Sequence, residues 1–454
     1  MGLMNRSRRE IRQLIKNSKI TICVVGLGRV GLPTASIFAD AGALVLGADI
    51  NEAIVNQVNG GECPLSDEPK LAKLVRQNVK KGNLKATTNV AKAVAHADVI
   101  VVCVPTPVDE HKVPNYSAVK DACKEIAKTL NKGSLVILES TVGPGTVESM
   151  VVPLLERQSL LRACRDFGVA SCPERADPGR MVENLFSVPR IIGGIDSRSA
   201  AVASWLYETA FGVDVVKVSS PKTANAVKLT ENLFRDVNIA LANEFALLYE
   251  KLNIDTVEVI EACATKYNFT PHFPGAGVGG PCLPQNSYYL IVEGIKVGNI
   301  PYLVRLAREI NDRMPDHVVT LVGEALNEIG KTVKSSKIAV LGVAYKPGVH
   351  DLQLTPTRKV VQKLVEMGAK ISIYDPMFRN EQVFGTKVAD TLEDAVAGVD
   401  CVTIVTAHGE FRDLDVRELS RLCSKPAALV DARNTVKPQA AKKNGFAFRG
   451  VGRT

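Results

Sequence analysis

A strand-forming run, Lys19 to Val25, leads directly into Gly26-Leu27-Gly28-Arg29-Val30-Gly31, and Val30 to Ala41 then carries a helical pattern. Few folds put a glycine turn between a strand and a helix in this way. The arrangement suits a βαβ unit whose helix N-terminus faces an anion. Gly26 allows the sharp turn, Gly28 admits a pyrophosphate against the main chain, and Gly31 lets the helix pack on the strand. With Val30 these residues form the expected cofactor loop. Asp49 stands at the end of the next strand, Leu44 to Ala48. A carboxylate there accepts from ribose hydroxyls and repels a 2′-phosphate, and Asn51 follows it rather than an arginine. The pattern predicts NAD rather than NADP.

At 454 residues the chain is too long for one core. Strand runs at Val99 to Val104, Leu135 to Leu138, Val169 to Cys172, Arg190 to Ile192 and Val213 to Val218 alternate with helical stretches, which predicts a parallel sheet covered on both faces. Thr223 to Leu252 is a different kind of segment, a helical pattern with no proline or glycine inside it. Leu229, Leu233, Val237, Ala240, Leu241, Phe245 and Leu248 recur along it at helical spacing. At 1.5 Å per residue it reaches about 45 Å, enough to connect two domains and to offer a subunit interface. From Lys331 the chain returns to strands, at Lys337 to Leu341, Lys370 to Tyr374, Cys401 to Val405 and Ala427 to Val430. The first of these enters Gly342-Val343-Ala344-Tyr345-Lys346-Pro347, a turn without a second GxGxxG, and Pro315 and Gly330 bracket the join. The expected fold is α/β: two Rossmann-like doubly wound domains, 1–218 for the cofactor and 331–454 for another ligand, joined by a helical region, 219–330, that contains the long helix.

The charge excess of +8 is spread along the chain and only 5% of residues are aromatic, so the sequence lacks the dense basic stripe and stacking rings of a nucleic-acid binder. An anionic small substrate fits it better. The ten cysteines form no CxxC pair, and several, such as Cys23, Cys103 and Cys401, sit in apolar runs, as in a reducing cytoplasm. The six histidines do not combine with them at zinc spacing, so no metal is expected. No run is long enough to span a bilayer. Met1 to Ser18 is basic, lacks the apolar core of a secretory leader, and reads as a short amphipathic helix on Ile11, Leu14 and Ile15.

Several segments carry possible chemistry. Val104-Pro105-Thr106-Pro107 and Ser140-Thr141-Val142-Gly143-Pro144-Gly145-Thr146 each follow a parallel strand, at the end that faces a ligand crevice, which makes Thr106 and Thr141 candidate cofactor contacts. Cys172-Pro173-Glu174-Arg175 places two charges at another strand end. Lys228 and Asn232 are four apart and share a helix face. Gly275-Ala276-Gly277-Val278-Gly279-Gly280-Pro281-Cys282 puts one thiol after a run of small residues, a setting read as open to a ligand. A nicotinamide site plus a reactive thiol implies an oxidation through a covalent thio-adduct.

In their order and spacing these pieces, with Ala344-Tyr345-Lys346-Pro347 and Asp431-Ala432-Arg433-Asn434, resemble the UDP-glucose/GDP-mannose dehydrogenase family over nearly the whole chain. The resemblance implies NAD-dependent, two-step oxidation of the C6 hydroxyl of a UDP-sugar, through a Cys282 thiohemiacetal and thioester, in an enzyme of nucleotide-sugar and polysaccharide biosynthesis. It implies that Lys228 and Asn232 stabilise the developing oxyanion, that Glu174 positions or deprotonates water, and that Lys346 and Arg433 bind substrate. Pro173-Glu174-Arg175 with Pro178-Gly179 matches the branch acting on N-acetylhexosamines and adds Arg175 to the substrate contacts. The implied substrate is UDP-N-acetyl-D-mannosamine, with UDP-N-acetylglucosamine, UDP-glucose and a catalytically idle sugar-nucleotide binder as alternatives. The implied assembly is a homodimer or higher homo-oligomer, with no nucleic-acid or membrane partner. Two departures stand out. Asn286 and Gln353 occupy positions where the family commonly has an aspartate and an arginine.

Overall fold

The structure, a computed structural model, describes residues 2–65, 67–177 and 179–453; Pro178 of the branch motif lies outside the described residues. The chain divides into two compact units, Met1–Glu231 with Tyr288–Asn299, and Asn232–Ser287 with Ile300–Thr454.

The first unit holds an eight-stranded sheet. Its strands are β1 (Thr21–Val25), β2 (Leu44–Ala48), β3 (Leu84–Thr87), β4 (Val99–Val102), β5 (Leu135–Leu138), β6 (Gly168–Ser171), β7 (Arg190–Gly194) and β8 (Val215–Val218). They lie in the order β3-β2-β1-β4-β5-β6-β7-β8. The reversal after β1, with β2 and β4 on its two sides, makes the switch point at which doubly wound sheets take ligands. Both faces are buried, and the period of two shows why. Ile22 and Val24 enter one apolar cluster with Phe38, Tyr207 and Phe211, whereas Cys23 and Val25 enter another with Val119, Ile126 and Val147. The expected all-parallel sheet needs one correction, because β6 and β7 pair antiparallel and β8 follows β7 in the reversed direction. The short link from β6 to β7, through residues 172–189, holds no crossover helix long enough to bring the chain back to the same end.

Helix α1 (Arg8–Lys16) is the expected amphipathic opening, with Ile11 and Ile15 fully buried and a capping box between Ser7 and Glu10. Helix α2 (Gly31–Asp40) follows the glycine turn, and α3 (Ser197–Phe211) covers β6 and β7. The long helix α4 (Pro221–Lys251) runs 31 residues, with a proline at its first position, where no intrahelical N–H is lost.

The second unit carries α5 (Leu283–Lys296) up to Ser287, α6 (Tyr302–Glu328) and a five-stranded parallel sheet. That sheet has the order β10-β9-β13-β14-β15, with β9 (Lys337–Leu341), β10 (Lys370–Tyr374), β13 (Cys401–Ile404), β14 (Ala427–Asp431) and β15 (Phe446–Gly450); β11 (Gln382–Val383) and β12 (Thr386–Lys387) form a separate hairpin. Ile338 and Val340 face one apolar layer, Ala339 and Leu341 the other. The α/β class, with one mostly parallel sheet, one all-parallel sheet and a helical region between them in sequence, is thus observed. Pro315, expected to bracket the join, instead lies inside α6. A proline there cannot donate to the carbonyl of Asn311, four residues earlier. That carbonyl faces Gly277, 2.9 Å from where a Cβ would stand.

Candidate active site

The glycine turn has the form its spacing predicts, and its three glycines are required for three reasons. Gly26 has φ +92°, and a Cβ there would stand 2.8 Å from the Cys103 carbonyl oxygen. At Gly31 a Cβ would collide with the Gly26 carbonyl, so the helix could not close on the turn. Gly28 is different, since nothing lies within 4 Å of its Cβ position. This open space against bare main chain is where a pyrophosphate would fit. Val30 caps α2 without a side-chain hydrogen bond; the Leu32 and Thr34 N–H groups already donate to the Gly28 and Val30 carbonyls and Pro33 has none, so of the first turn the Gly31 N–H is the one to meet an anion. Asp49 accepts from the Leu27 N–H at 2.7 Å and the Asn51 N–H at 2.9 Å, which fixes the acid beside the turn. The two further turns are tied together: the Thr106 hydroxyl donates to the Thr141 carbonyl at 2.8 Å, and the Ser140 hydroxyl to the Val104 carbonyl at 2.7 Å. These residues fit a bound dinucleotide.

At the end of β6, Glu174 is buried yet densely partnered. One oxygen accepts from the main-chain N–H groups of Arg175 and Ala176 at 2.6 and 2.5 Å, the other from Arg190 at 2.5 Å. Burial pushes its carboxyl up, but the charge and hydrogen bond of Arg190, the Ala176 N–H and the Lys228 ammonium outweigh this and hold it below the ordinary carboxylate value. Lys228 itself is 8% exposed and has no hydrogen bond or salt bridge among the described residues. A buried ammonium with no fixed partner is available to an oxyanion. Arg175 spends its guanidinium on protein: Nε and Nη2 grip Glu231 at 3.1 and 2.5 Å, and Nη1 donates to the Pro189 carbonyl at 2.5 Å.

In the second unit Cys282 is exposed, immediately before α5. Its carbonyl accepts from the Asn286 N–H at 2.9 Å and so opens the helix, whose N-terminus favours negative charge. Two side-chain clasps hold this turn against α4. Asn232 donates to the Asn286 Oδ1 at 2.5 Å, and Ser287 donates to Asp236 at 3.0 Å. Lys228, Asn232 and Asp236 follow each other at four-residue spacing along one face of α4. The glycines before the thiol are not the open approach the sequence suggested. Cβ atoms at Gly279 and Gly280 would stand 2.7 Å from the Leu354 carbonyl and from the Tyr345 ring, and one at Gly275 2.6 Å from Arg433. Protein packing, not ligand access, requires them.

Arg433 donates to the Val405 carbonyl at 2.8 Å and the Gly277 carbonyl at 3.1 Å, beside the end of β14. Lys346 is half-buried in the turn after β9. Gln353 keeps one contact by its main chain, its carbonyl accepting from the Gly280 N–H at 2.9 Å. Among the described residues no group of three or more His, Cys, Asp or Glu side chains could hold a metal, and no helix is long and apolar enough to cross a membrane.

Three family models match in succession: the NAD binding domain of the UDP-glucose/GDP-mannose dehydrogenase family at residues 20–211, its central domain at 222–313 and its UDP binding domain at 339–438. The chain belongs to this family. It is an NAD-dependent oxidoreductase acting on a nucleotide sugar. Among similar proteins is the UDP-N-acetyl-D-mannosamine dehydrogenase of Pyrococcus horikoshii, 38% identical over 95% of this chain and 99% of the relative. The solved structure of UDP-D-ManNAc dehydrogenase from that organism matches with TM-score 0.89 at 37% identity, over 96% of this chain and 99% of the other. An NDP-N-acetyl-D-galactosaminuronic acid dehydrogenase from Methanosarcina mazei matches with TM-score 0.83 at 32% identity, over 100% and 98%.

For a dehydrogenase of this family, three buried charges escaped the reading of the sequence. Glu139, Arg190 and Asp236 are each 2% exposed or less. Glu139 and Arg190 abut the apolar runs Leu135–Leu138 and Ile191–Ile192, and Asp236 falls on the apolar stripe of α4, three residues after Leu233 and four before Ala240; a charge at such a position is the signal that could have found them.

Proposed function

We propose that this chain oxidises C6 of UDP-N-acetyl-D-mannosamine to the uronate in two steps, each reducing one NAD. The observation that carries the reading is the exposed Cys282 thiol, opening α5 with Asn286 clasped to Asn232. NAD, when bound, accepts a hydride at each oxidation. Lys228 and Asn232 steady the alkoxide of the first step as the C6 hydroxyl loses its proton to water and the C6 carbon its hydride. The Cys282 sulfur then bonds to the aldehyde carbon to give a thiohemiacetal, and loss of the second hydride leaves a thioester. Glu174, held ionised, takes a proton from the water that attacks this thioester; the C–S bond breaks, and the thiol and carboxylate are released. Lysine and amide donors aimed at such an oxyanion contribute several kcal/mol, about 3–4 per donor. Asn286 cannot take a proton, so Glu174 carries that duty.

Asp49 selects NAD, with Gly26, Gly28, Val30, Gly31, Thr106 and Thr141 around the dinucleotide. Lys346 and Arg433 bind the UDP-sugar. Arg175 takes part through Glu231, because its donors are already spent on protein. The division at 1–218, 219–330 and 331–454 is supported by the matched family ranges. The exposed Phe234, Leu241, Phe245, Leu248 and Leu252 on and just after α4 support a homodimer through this helix; full activity in a species of monomer mass by light scattering would contradict the dimer. Ten cysteines without a CxxC pair support a cytoplasmic location.

A panel of UDP-N-acetyl-mannosamine, -glucosamine and -galactosamine with UDP-glucose, followed by NADH absorbance, tests the substrate. Two NADH per UDP-N-acetyl-D-mannosamine is expected. A clear preference for UDP-glucose would refute the branch, one NADH per sugar the thioester route, and no turnover at all would favour an idle binder.

A further inference from the structure

Beneath Glu174 the first unit contains a buried polar cluster that the reaction as described leaves unused. Arg190, the first residue of β7, is 2% exposed and forks between two carboxylates: Nη1 donates to Glu174 and Nη2 to Glu139, each at 2.5 Å. Glu139, 1% exposed at the end of β5, also accepts from the Tyr207 hydroxyl at 2.6 Å, the Thr34 hydroxyl at 3.0 Å and the Cys103 thiol at 3.3 Å. The guanidinium stacks 5.0 Å from the Tyr207 ring and 5.4 Å from that of Phe211. The two rings are themselves 5.1 Å apart and so lie together on one side of the guanidinium, while the carboxylates bonded to both Nη atoms hold the fork. A guanidinium is suited to this, since its donors leave at set angles whereas an ammonium is a point charge.

We propose that Arg190 is a positioning residue for the oxidation, aiming the Glu174 carboxylate, and that Glu139 anchors the fork and ties it to the cofactor helix through Thr34. The inference rests on the assignment of Glu174 as the group that deprotonates water. Thr34 lies on α2, one turn into the helix that opens at the glycine turn. The chain of contacts thus runs from the cofactor helix through Glu139 and Arg190 to Glu174. The environments of the two carboxylates differ. Burial pushes Glu139 up, with Glu174 adding repulsion and Arg190 only partly offsetting it; Glu174, with its extra main-chain donors and Lys228, is held low. The other groups facing the cluster are the thiols of Cys103 and Cys172, both raised by burial and neutral at working pH, and Arg175, already paired with Glu231.

The test compares Arg190→Met with Arg190→Lys, alone and in a Glu174→Gln background. Without the guanidinium Glu174 protonates at higher pH, so its base form is lost earlier as pH falls. The acid limb of kcat/KM in Arg190→Met should move up by a unit or more, with kcat at neutral pH down at least tenfold and KM for UDP-sugar changed less than threefold. Arg190→Lys keeps the charge but not the fork, so its acid limb should stay near the wild-type position while kcat still falls. In Glu174→Gln, adding Arg190→Met should cost less than a further twofold. Arg190→Met leaves two buried carboxylates without their counter-charge; if it does not fold, Glu139→Gln/Arg190→Met removes one of them and takes its place in the comparison. An unmoved acid limb and wild-type kcat in the Arg190 variants, with Glu174→Gln inactive, would overturn this inference alone. A fully active Glu174→Gln enzyme would instead overturn the role of Glu174.

Discussion

Replacing Gly280 by alanine tests whether packing, rather than ligand access, dictates the loop before the thiol. Gly280 has φ +91°, a conformation that costs an L-residue about 1–2 kcal/mol. The new methyl would stand 2.7 and 2.8 Å from two carbons of the Tyr345 ring, well inside ordinary contact, and overpacking of this kind costs about 1–3 kcal/mol. Together the variant should lose roughly 2–5 kcal/mol of stability. Relief of the clash requires the loop or the ring to move by nearly 1 Å, two residues from Cys282, and a misplacement of that size costs about 10²-fold in turnover. Denaturant unfolding and NADH formation measure the two effects. Tyr345→Ala removes the colliding ring but leaves the backbone strain, so the double variant should lose less than the sum of the singles by about 1–3 kcal/mol. A Gly280→Ala enzyme with wild-type stability and rate, or strictly additive losses in the cycle, would refute the packing argument.

Cys282→Ser should bind UDP-sugar normally yet lose turnover, since a hydroxyl is a far weaker nucleophile; mass spectrometry of quenched wild-type enzyme should show a Cys282 adduct that the variant lacks. Asp49 should favour NAD over NADP by at least about tenfold, or about 1.4 kcal/mol, and Asp49→Asn should narrow the gap in kcat/KM. Asn286→Asp should remain active, because either side chain accepts from Asn232. The added negative charge beside Cys282 opposes thiolate formation, so the acid limb of the pH–rate profile should move to higher pH.

The cofactor turn and most of both sheets were legible because their signals are local. β2, β5, β9 and β10 run between the residues their apolar runs mark. β3 (Leu84–Thr87) was missed because Leu-Lys-Ala-Thr is short and half polar, the composition of an edge strand in a sheet of order β3-β2-β1. β15 was missed because Phe446 to Gly450 contains Arg449, whose stem lies across α6 to reach Glu328 at 2.7 Å. The reversal of β7 and β8 is not local at all. It is set by the short link through residues 172–189, and strand direction leaves no mark in the strand's own residues. Lys228, Asn232 and Cys282 were singled out from the order of motifs, whereas Glu139 and Arg190, which interact across 51 residues, carry no periodic signal.

The glycines carry the clearest physical lesson, since one residue type serves opposite ends in the two units. At Gly28 the space beyond the missing side chain is open, and its absence makes room for a ligand. At Gly275, Gly277, Gly279 and Gly280 that space is already filled by Arg433, the Asn311 carbonyl, the Leu354 carbonyl and Tyr345. Glycine density therefore identifies close approach but not what approaches. The partners come from segments further along the chain: Asn311 from α6, Leu354 from the loop after β9, and Tyr345 and Arg433 from the Ala344-Tyr345-Lys346-Pro347 turn and the end of β14, which the resemblance associated with substrate. A loop held by those segments transmits any shift in them to Cys282. Rigid support of this kind is what a thiol needs to meet a carbonyl carbon at bonding distance in two successive steps. The Asn286 amide is consistent with the same economy: it keeps the clasp to Asn232 while leaving the helix N-terminus beside Cys282 without a competing carboxylate.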